Sequence, residues 1–252
     1  MSSPMTRPLH IAVANQKGGV AKTTSVISIG TALVELGKRV LLVDLDPQSC
    51  MTFSLGIDPD GLELSIHDVL TADVPASDVI QKSEDGPDVL PATIDLAAAE
   101  ALLLTRTGRE YALRNVLEDL CASARDPYDV IIIDCPPSLG VLTINGLTAA
   151  DQVIIPLQCE TLSHRGVGQL LGTIADVRKM TNRRLSVRGI LPTMFDVRTT
   201  HSRDVLDDVA LRYELPVLAP PIARSIRFAE APAAGRSILH TSRNSKGAEA
   251  YR

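Results

Sequence analysis

The stretch that decides the fold is residues 9–30, LHIAVANQKGGVAKTTSVISIG. Its opening part, residues 11–13, is an apolar β-branched run that predicts a buried strand, and the pattern becomes helical at Lys22. Between them, Gly18 and Gly19 let the backbone approach a ligand closely and adopt positive φ. The amides of such a turn, with the N-terminus of the following helix, form a nest for phosphate oxygens. This order of elements therefore predicts a phosphate-binding loop.

The side chains that follow the glycines suit a nucleotide and its metal ion. Lys22 can reach the β- and γ-phosphates, and the Thr23 hydroxyl is suited to Mg²⁺. Glycine turns also join strands to helices with no ligand bound, but the strand–GGxxKT–helix context favours the functional interpretation. We expect the phosphates of ATP to contact the loop through Lys17, Gly18, Gly19, Val20, Ala21, Lys22, Thr23 and Thr24.

Short apolar runs alternate with helical stretches along the rest of the chain. The runs are residues 40–43, 130–133, 153–155, 187–191 and 217–218, and helices are predicted over 22–36 and about 163–180. Runs that are apolar on both faces suit strands of a parallel sheet that is covered by helices on both sides. The alternation predicts an α/β, doubly wound fold with a mainly parallel sheet and helices on both faces. Residues 56–90, rich in Asp, Pro and Gly, are predicted to be a looped excursion with short helices.

Length and composition favour one domain. The 252 residues are enough for one well-buried α/β domain, so we expect a single P-loop ATPase domain over 1–252. Residues 1–8 are expected to be flexible, and residues 241–252 to be truncated or frayed. No apolar run approaches the roughly 20 residues of a membrane span. The four cysteines lack CxxC spacing, which fits free thiols in the cytoplasm.

Three acids lie where a nucleotide site needs them. Asp44 ends the run VLLVD, Asp46 follows two residues later, and Asp134 ends the run VIIID. The carboxyl ends of parallel strands meet at the edge where ligands bind in this architecture. Any one of these acids could instead be a helix cap or turn residue. Together they predict a cluster of carboxylates beside the phosphate loop.

The spacing of the loop departs from the standard GxxxxGK[ST] pattern. Gln16 and Ala21 stand where that pattern has glycines, and a second lysine, Lys17, precedes the glycine pair. This K-G-G-x-x-K-T arrangement resembles the deviant Walker A motif of the ParA/MinD superfamily of P-loop NTPases. The resemblance is closest to the ParA branch, covers about residues 9–240 and is most specific around 15–24, 40–48 and 129–140.

The resemblance implies a role for each acid and for Lys17. Lys17 would reach across a dimer interface to the partner's nucleotide, where a cation can stabilise charge on the γ-phosphoryl oxygens. Asp134 resembles the Walker B aspartate, which implies that it holds Mg²⁺ through water alongside Thr23. Asp46 resembles the switch I aspartate that places the attacking water, so the implied catalytic residues are Lys17, Lys22 and Asp46. Asp44 could support the loop or the metal shell.

Two further segments carry the resemblance towards the C-terminus. Residues 190–199 resemble the family's strand and loop near the adenine. Residues 220–235 resemble the family's P-R-x-V-R-x-x-E-A-P-x-x-G stretch. The resemblance implies that Met194 and Pro221 contact ATP. Residues 158–171, QCETLSHRGVGQLL, depart from the family's usual sequence. Interface details could therefore differ in this chain.

Charge is divided unevenly along the chain. Residues 1–175 hold 11 Lys and Arg against 22 Asp and Glu, whereas residues 176–252 hold 14 against 8. This difference fits either a dipolar surface with no special partner or an anionic polymer held by the C-terminal third. The resemblance implies DNA, contacted without sequence preference by Arg198, Arg224 and Arg227. It also implies an ATP-bound homodimer, a ParB-like centromere-binding partner that stimulates hydrolysis, and association with the nucleoid.

Other classes of protein fit less well. A MinD-like membrane ATPase needs a basic amphipathic C-terminal helix, and TSRNSKGAEAYR has no apolar face. An iron–sulfur ATPase needs suitably placed thiolates, and Cys135 and Cys159 resemble small core residues instead. Nothing in the chain suggests the small-molecule acceptor site of a metabolic synthetase. A ParA-like ATPase that positions another large cargo remains the main alternative to DNA segregation.

Overall fold

A seven-stranded sheet forms the centre of the structure, a computed structural model that describes residues 7–123, 126–160, 163–196 and 198–252. The strand order is β3-β4-β2-β5-β1-β6-β7, and all neighbours are parallel except the β3–β4 pair. The strands are β1 (Leu9–Val13), β2 (Val40–Asp44), β3 (Gln81–Lys82), β4 (Asp88–Leu90), β5 (Val130–Asp134), β6 (Gln152–Gln158) and β7 (Ser186–Thr193).

Helices connect these strands. Within the described residues they are α1 (Lys22–Glu35), α2 (Cys50–Ser54), α3 (Ile66–Thr71), α4 (Ala76–Val79), α5 (Leu96–Leu104), α6 (Ala112–Ser123), α7 (Val141–Ala149), α8 (Ser163–Met180), α9 (Thr200–Tyr213), α10 (Arg227–Glu230), α11 (Ile238–Thr241) and α12 (Lys246–Tyr251). Short 3₁₀ turns lie at Pro59–Gly61, Arg109–Tyr111 and Ala231–Ala234.

The two faces of the sheet form separate apolar cores because successive side chains of a strand point to opposite faces. In β2, Leu41 and Val43 pack into the core that contains residues of α3 and α5–α9. Val40 and Leu42 pack into the other core, with α1, α2, α11 and α12. Helices therefore cover both faces, and the predicted doubly wound, mainly parallel fold is confirmed.

The helix predicted to end at Gly37 forms as α1. Its C-cap is Leu36, and Gly37 follows with φ 78°, a left-handed conformation that glycine adopts without steric cost. The predicted strands before residue 200 all form. β1, β2 and β5 lie side by side at the centre of the sheet, which brings the acids at the ends of β2 and β5 next to the loop after β1.

The structure differs from the sequence prediction at two places. Residues 56–90 contain short helices as expected, but they also add β3 and β4 to one side of the sheet. β4 begins with Asp88 and lies between Pro87 and Pro91, a composition that predicts a loop. Residues 217–218 were predicted to be a strand and form a single bridge from Val217 to Ile190. Pro216 and Pro220 flank this bridge, and proline cannot donate to a ladder.

The two ends of the chain can also be compared with the predictions made for them. Residues 1–6 of the segment expected to be flexible lie outside the described residues. Residues 246–251, which we expected to fray, instead form α12, and the buried Tyr251 hydroxyl lies 2.9 Å from the Ser25 Oγ of α1. An ion pair of Arg252 with Glu35 adds a second link to α1.

Candidate nucleotide-binding site

The loop between β1 and α1 is held by its own first side chain. Asn15 is buried; its Nδ2 donates to the Pro156 carbonyl at 2.7 Å, and its Oδ1 accepts from the Lys17 amide at 3.0 Å. Further along, Gly19 has φ 73° and Ala21 has φ 63°. Ala21 thus adopts, at the N-cap of α1, the left-handed conformation that the glycine of the standard pattern would supply. Sequence reasoning missed this role of Asn15, because the only signal for it was its place beside the loop.

The start of α1 is open to an anion. Its N-cap makes no side-chain hydrogen bond, and its first turn contains no acidic residue. A Cβ added at Gly18 or Gly19 would meet nothing within 4 Å, so the space above the loop is free of other parts of the described chain. Unpaired amides and the positive end of a helix dipole favour phosphate in this position.

The two lysines of the loop lie in different environments. Lys22 is buried, and its Nζ reaches the Lys17 carbonyl at 3.4 Å. Burial lowers the pKa of Lys22, and the charges of Asp134 and Asp46 oppose that shift. Lys17 instead directs its ammonium group outward into an ion pair with Glu160, and its side chain is 40% exposed. The ammonium group of Lys22 thus contacts the loop of its own chain, whereas that of Lys17 lies at the surface.

Asp134 is a buried carboxylate with unused hydrogen-bonding capacity. It is fully buried, and neither oxygen has a hydrogen-bond partner of ordinary geometry among the described residues. Burial raises its pKa well above the usual range, the adjacent Asp44 adds to this shift, and the Thr23 hydroxyl and Lys22 oppose it. A buried acid of this kind needs a cation or a bound water. Asp134 and Thr23 therefore fit the expected magnesium site.

Asp44 has a different environment from that of a metal ligand. Its Oδ1 accepts from the Asp46 amide at 3.1 Å, and its Oδ2 accepts from the Thr52 amide at 3.0 Å and the Thr52 hydroxyl at 2.8 Å. Burial nevertheless raises its pKa to about 6. Both oxygens thus hold the segment between β2 and α2. Of the two roles left open by the sequence, this geometry favours support of the loop.

Asp46 lies in that supported segment. It is half-buried, and its Oδ1 accepts from the Gln48 amide at 3.0 Å, which leaves Oδ2 with no described partner. Its charge raises the pKa of Lys22, so it lies within electrostatic range of the phosphate loop. A carboxylate in this place can accept a proton from, or orient, a water molecule near the γ-phosphate.

A cavity of about 310 Å³ lies beside the loop, on the side away from the acids. Met194, with φ 48°, lines it, whereas Pro221 does not and the next residue, Ile222, does. Sequence reasoning missed two aromatic residues of its wall, Phe228 and Tyr251, which come from distant parts of the chain. Apolar walls with a few polar groups suit a nucleobase.

The three arginines expected to contact DNA are exposed near the carboxyl end of β7. Arg198 and Arg224 line a common depression of about 360 Å³. Arg198 forms ion pairs with Asp196 at 3.1 and 3.2 Å, and Arg227 pairs with Glu230 at 2.8 Å. In the isolated chain, Arg198 and Arg227 are therefore each paired with a carboxylate from a nearby residue.

Two further observations concern the thiols and the helices of the described residues. Cys135 and Cys159 are buried, as expected of core residues, and no group of three or more His, Cys, Asp or Glu side chains in the described ranges could hold a metal. Across the same ranges, none of the helices combines the length and the apolar character needed to traverse a bilayer.

The fold and the loop define this chain as a P-loop nucleoside-triphosphate-binding protein. A family model described as "AAA domain" matches residues 9–187. The sporulation initiation inhibitor protein Soj of Bacillus subtilis is 45% identical over 96% of this chain and 94% of its own length. The chromosome partitioning protein ParA of Caulobacter vibrioides is 44% identical over 97% and 91%. The chain belongs to the ParA/Soj family of chromosome-partitioning ATPases.

One solved structure that is similar to this chain is described as a different kind of protein. A Mycobacterium smegmatis protein described as cobyrinic acid a,c-diamide synthase is 61% identical to this chain, with a TM-score of 0.85 over 97% of this chain and 91% of that one. It has been solved with ADP and magnesium and with an ATP analogue and magnesium.

Proposed function

We propose that this chain is a Mg²⁺-dependent ATP hydrolase whose ATP-bound form is a homodimer that binds double-stranded DNA without sequence preference. Hydrolysis, stimulated by a ParB-like centromere-binding partner, would release the DNA and so segregate a chromosome or plasmid. The observation that carries this proposal is the position of Lys17. Its ammonium group lies at the surface on Glu160, five residues before the buried Lys22, where a second subunit's nucleotide could meet it.

The residues of one chain bind the nucleotide but leave the site incomplete. Lys22 and the amides of residues 17–24 would hold the phosphates, and Thr23 with Asp134 would hold magnesium, which neutralises charge on the phosphate oxygens when bound. Asp46 would orient the attacking water. Lys17 would supply the last positive charge only after a partner subunit arrives. Basal turnover should therefore be slow.

DNA contact would come from the exposed arginines at the carboxyl end of β7. Arginine binds phosphate through its planar fork without reading base identity. Arg198 and Arg227 would exchange their carboxylate partners for phosphates. The proposed location is the cytoplasm, on the nucleoid. Transport of another large cargo by the same cycle is the alternative within the family, and a MinD-like membrane cycle has less support.

A second candidate function comes from the description of the M. smegmatis relative. An amidating synthetase that takes nitrogen from glutamine needs an activated nucleophile, typically a cysteine of lowered pKa. Here burial raises the pKa of the Cys121, Cys135 and Cys159 thiols, and burial together with Asp46, Asp44 and Asp134 raises that of Cys50. The chemistry of these thiols opposes glutamine hydrolysis by this chain and favours the partitioning cycle.

The test combines DNA retention with dimerisation for the wild type, Arg227→Glu and Lys17→Ala. ATP should increase DNA retention of the wild type. Arg227→Glu should lose that ATP-dependent increase, because it reverses a phosphate contact, yet still dimerise with ATP. Lys17→Ala should bind ATP and fail to hydrolyse it.

Three results would contradict the proposal: no ATP-dependent increase in DNA retention, Lys17→Ala hydrolysing ATP at the wild-type rate, or ATP-dependent amidation by the wild type. Light scattering for dimerisation and phosphate release for hydrolysis separate these outcomes.

A further inference from the structure

Five cations crowd the end of the sheet opposite the nucleotide. Arg178 and Lys179 lie in the last turn of α8, and Arg183, Arg184 and Arg188 lie between that turn and the first residues of β7. All five are exposed. We call these five residues the α8–β7 basic cluster.

The cluster lacks counter-charges. Among the described residues none of its members forms an ion pair, in contrast to Arg198 and Arg227 at the other end. Asp176 is the one acid within residues 176–188. The nearby Asp151 is already engaged by Arg7 and by the His10 amide.

Most of the net positive charge of the C-terminal third therefore lies away from the three arginines to which DNA contact was assigned. Residues 176–188 hold five cations and one acid, a net charge of +4 out of the +6 of residues 176–252. β7 is eight residues or about 26 Å long; Arg183 and Arg184 precede it and Arg188 is its third residue, so most of its length separates the two groups. One rigid duplex contact near Arg198 would leave the cluster unused.

A purely structural role explains only part of the cluster. Arg178 and Lys179 can stabilise the C-terminal end of the α8 dipole. Arg183, Arg184 and Arg188 lie beyond the helix, where that interaction has decayed. Their exposure, density and freedom from acids are features of a surface that binds an anionic polymer.

The composition of the cluster selects the kind of polymer. Four of its five members are arginines, which suit phosphate geometry. Residues 176–188 contain no aromatic side chain on which unpaired bases could stack. Met180, 73% exposed, is the single large apolar side chain exposed in this stretch, too little for membrane insertion. These features favour the phosphate backbone of duplex DNA.

We propose that the α8–β7 basic cluster is a second contact for duplex DNA that works with or without nucleotide. The chain would then hold DNA weakly before ATP binds and after hydrolysis, and hydrolysis would release only the stronger, ATP-dependent contact. A consequence, which rests on the proposed function, is that the ATP-bound dimer can grip two DNA segments at once. The nucleotide-independent contact itself does not rest on it.

The test measures binding of the nucleotide-free chain to a labelled duplex between 50 and 200 mM salt. With up to five phosphate contacts, the log–log slope should approach about −4.5, so affinity should fall by up to about 500-fold over this range. The variant R183E/R184E/R188E should lose this binding, whereas R183K/R184K/R188K should keep it. Equal melting temperatures of the two variants would show that folding is unaffected.

Measuring R183E/R184E/R188E with and without ATP separates this proposal from the previous one. This variant should lose the nucleotide-free binding, whereas ATP should still increase its DNA retention. If the wild type shows nucleotide-free binding and no ATP-dependent increase, the proposed function fails and the cluster stands. Absence of nucleotide-free binding at 50 mM salt, unchanged binding by the triple glutamate variant, or binding of the cluster to anionic vesicles and not to DNA would each overturn the proposal.

Discussion

At the scale of single residues, Asp134 has the clearest link between environment and role. Its two oxygens are buried without described partners of ordinary geometry, and the Thr23 hydroxyl opposes the rise of its pKa. Asp134→Asn removes the negative charge and keeps the shape, so magnesium should no longer tighten nucleotide binding. We expect the ratio of ATP affinities with magnesium and with chelator to fall by at least about tenfold, as for other outer contacts of a metal. Isothermal titration with and without magnesium measures this ratio.

The exposed Asp95 offers a control for that measurement. Asp95 makes no side-chain capping hydrogen bond, so Asp95→Asn changes net charge by the same amount at an exposed residue outside the phosphate loop. Its magnesium dependence should equal that of the wild type. An Asp134→Asn protein that retains the wild-type ratio would show that magnesium is held elsewhere.

The candidate site residues could be predicted because two sequence patterns place them. The strand–loop–helix pattern of residues 9–30 places Lys22 and Thr23, and the apolar run VIIID places Asp134 at the end of a strand. The interactions of Glu160 with Lys17 and of Thr52 with Asp44 could not be predicted, because they join elements that only the folded sheet brings together. The same is true of Tyr251, which is 226 residues from its partner Ser25.

At the scale of elements, Thr52 links three parts of the fold. Its hydroxyl donates to Asp44 at the end of β2 and accepts from the Ala92 amide, just after β4, at 3.0 Å. Thr52→Val keeps the shape but leaves the Ala92 amide unpaired, and Asp44 loses a donor. We expect a loss of about 3 kcal/mol in the free energy of unfolding. Thr52→Ser, which retains the hydroxyl, should lose about 1 kcal/mol for its methyl group.

Urea denaturation of both variants tests this expectation. Because the link positions the segment that carries Asp46, Thr52→Val should also turn over ATP more slowly than Thr52→Ser. Equal stabilities of the two variants would show that the hydroxyl contributes nothing to the junction.

Strands with an uninterrupted apolar run could be predicted, and strands that lie among acids, prolines and glycines could not. β2 and β5 each present five consecutive buried residues, a pattern that few other structures produce. β4 has three residues and forms because β2 offers it a free edge, which is information from tertiary structure. Val217 has strand-forming character, but prolines around it limit pairing to one bridge.

At the scale of the whole molecule, the nucleotide site concentrates carboxylates whose negative charge the residues of the chain do not fully neutralise. Asp44 and Asp134 lie opposite each other at the ends of β2 and β5, and burial raises the pKa of both. For Asp44, a rise from 3.8 to about 6 corresponds to about 3 kcal/mol of stability lost on ionisation. The fold therefore tolerates an unfavourable pair that a bound cation can relieve.

This imbalance predicts how stability depends on pH. An acid whose pKa is raised by folding stabilises the folded chain at low pH, and that contribution is lost as pH rises from about 4 through the raised pKa. Nucleotide-free Asp134→Asn should therefore be more stable than the wild type at pH 7.5, and the difference should shrink towards pH 4.5. His10, whose pKa is lowered by burial, affects both proteins equally and cancels in the comparison. Thermal melts of both proteins across this range measure the difference, and saturating ATP and magnesium should close it by stabilising the wild type. A difference that does not change with pH would show that folding does not raise the pKa of Asp134.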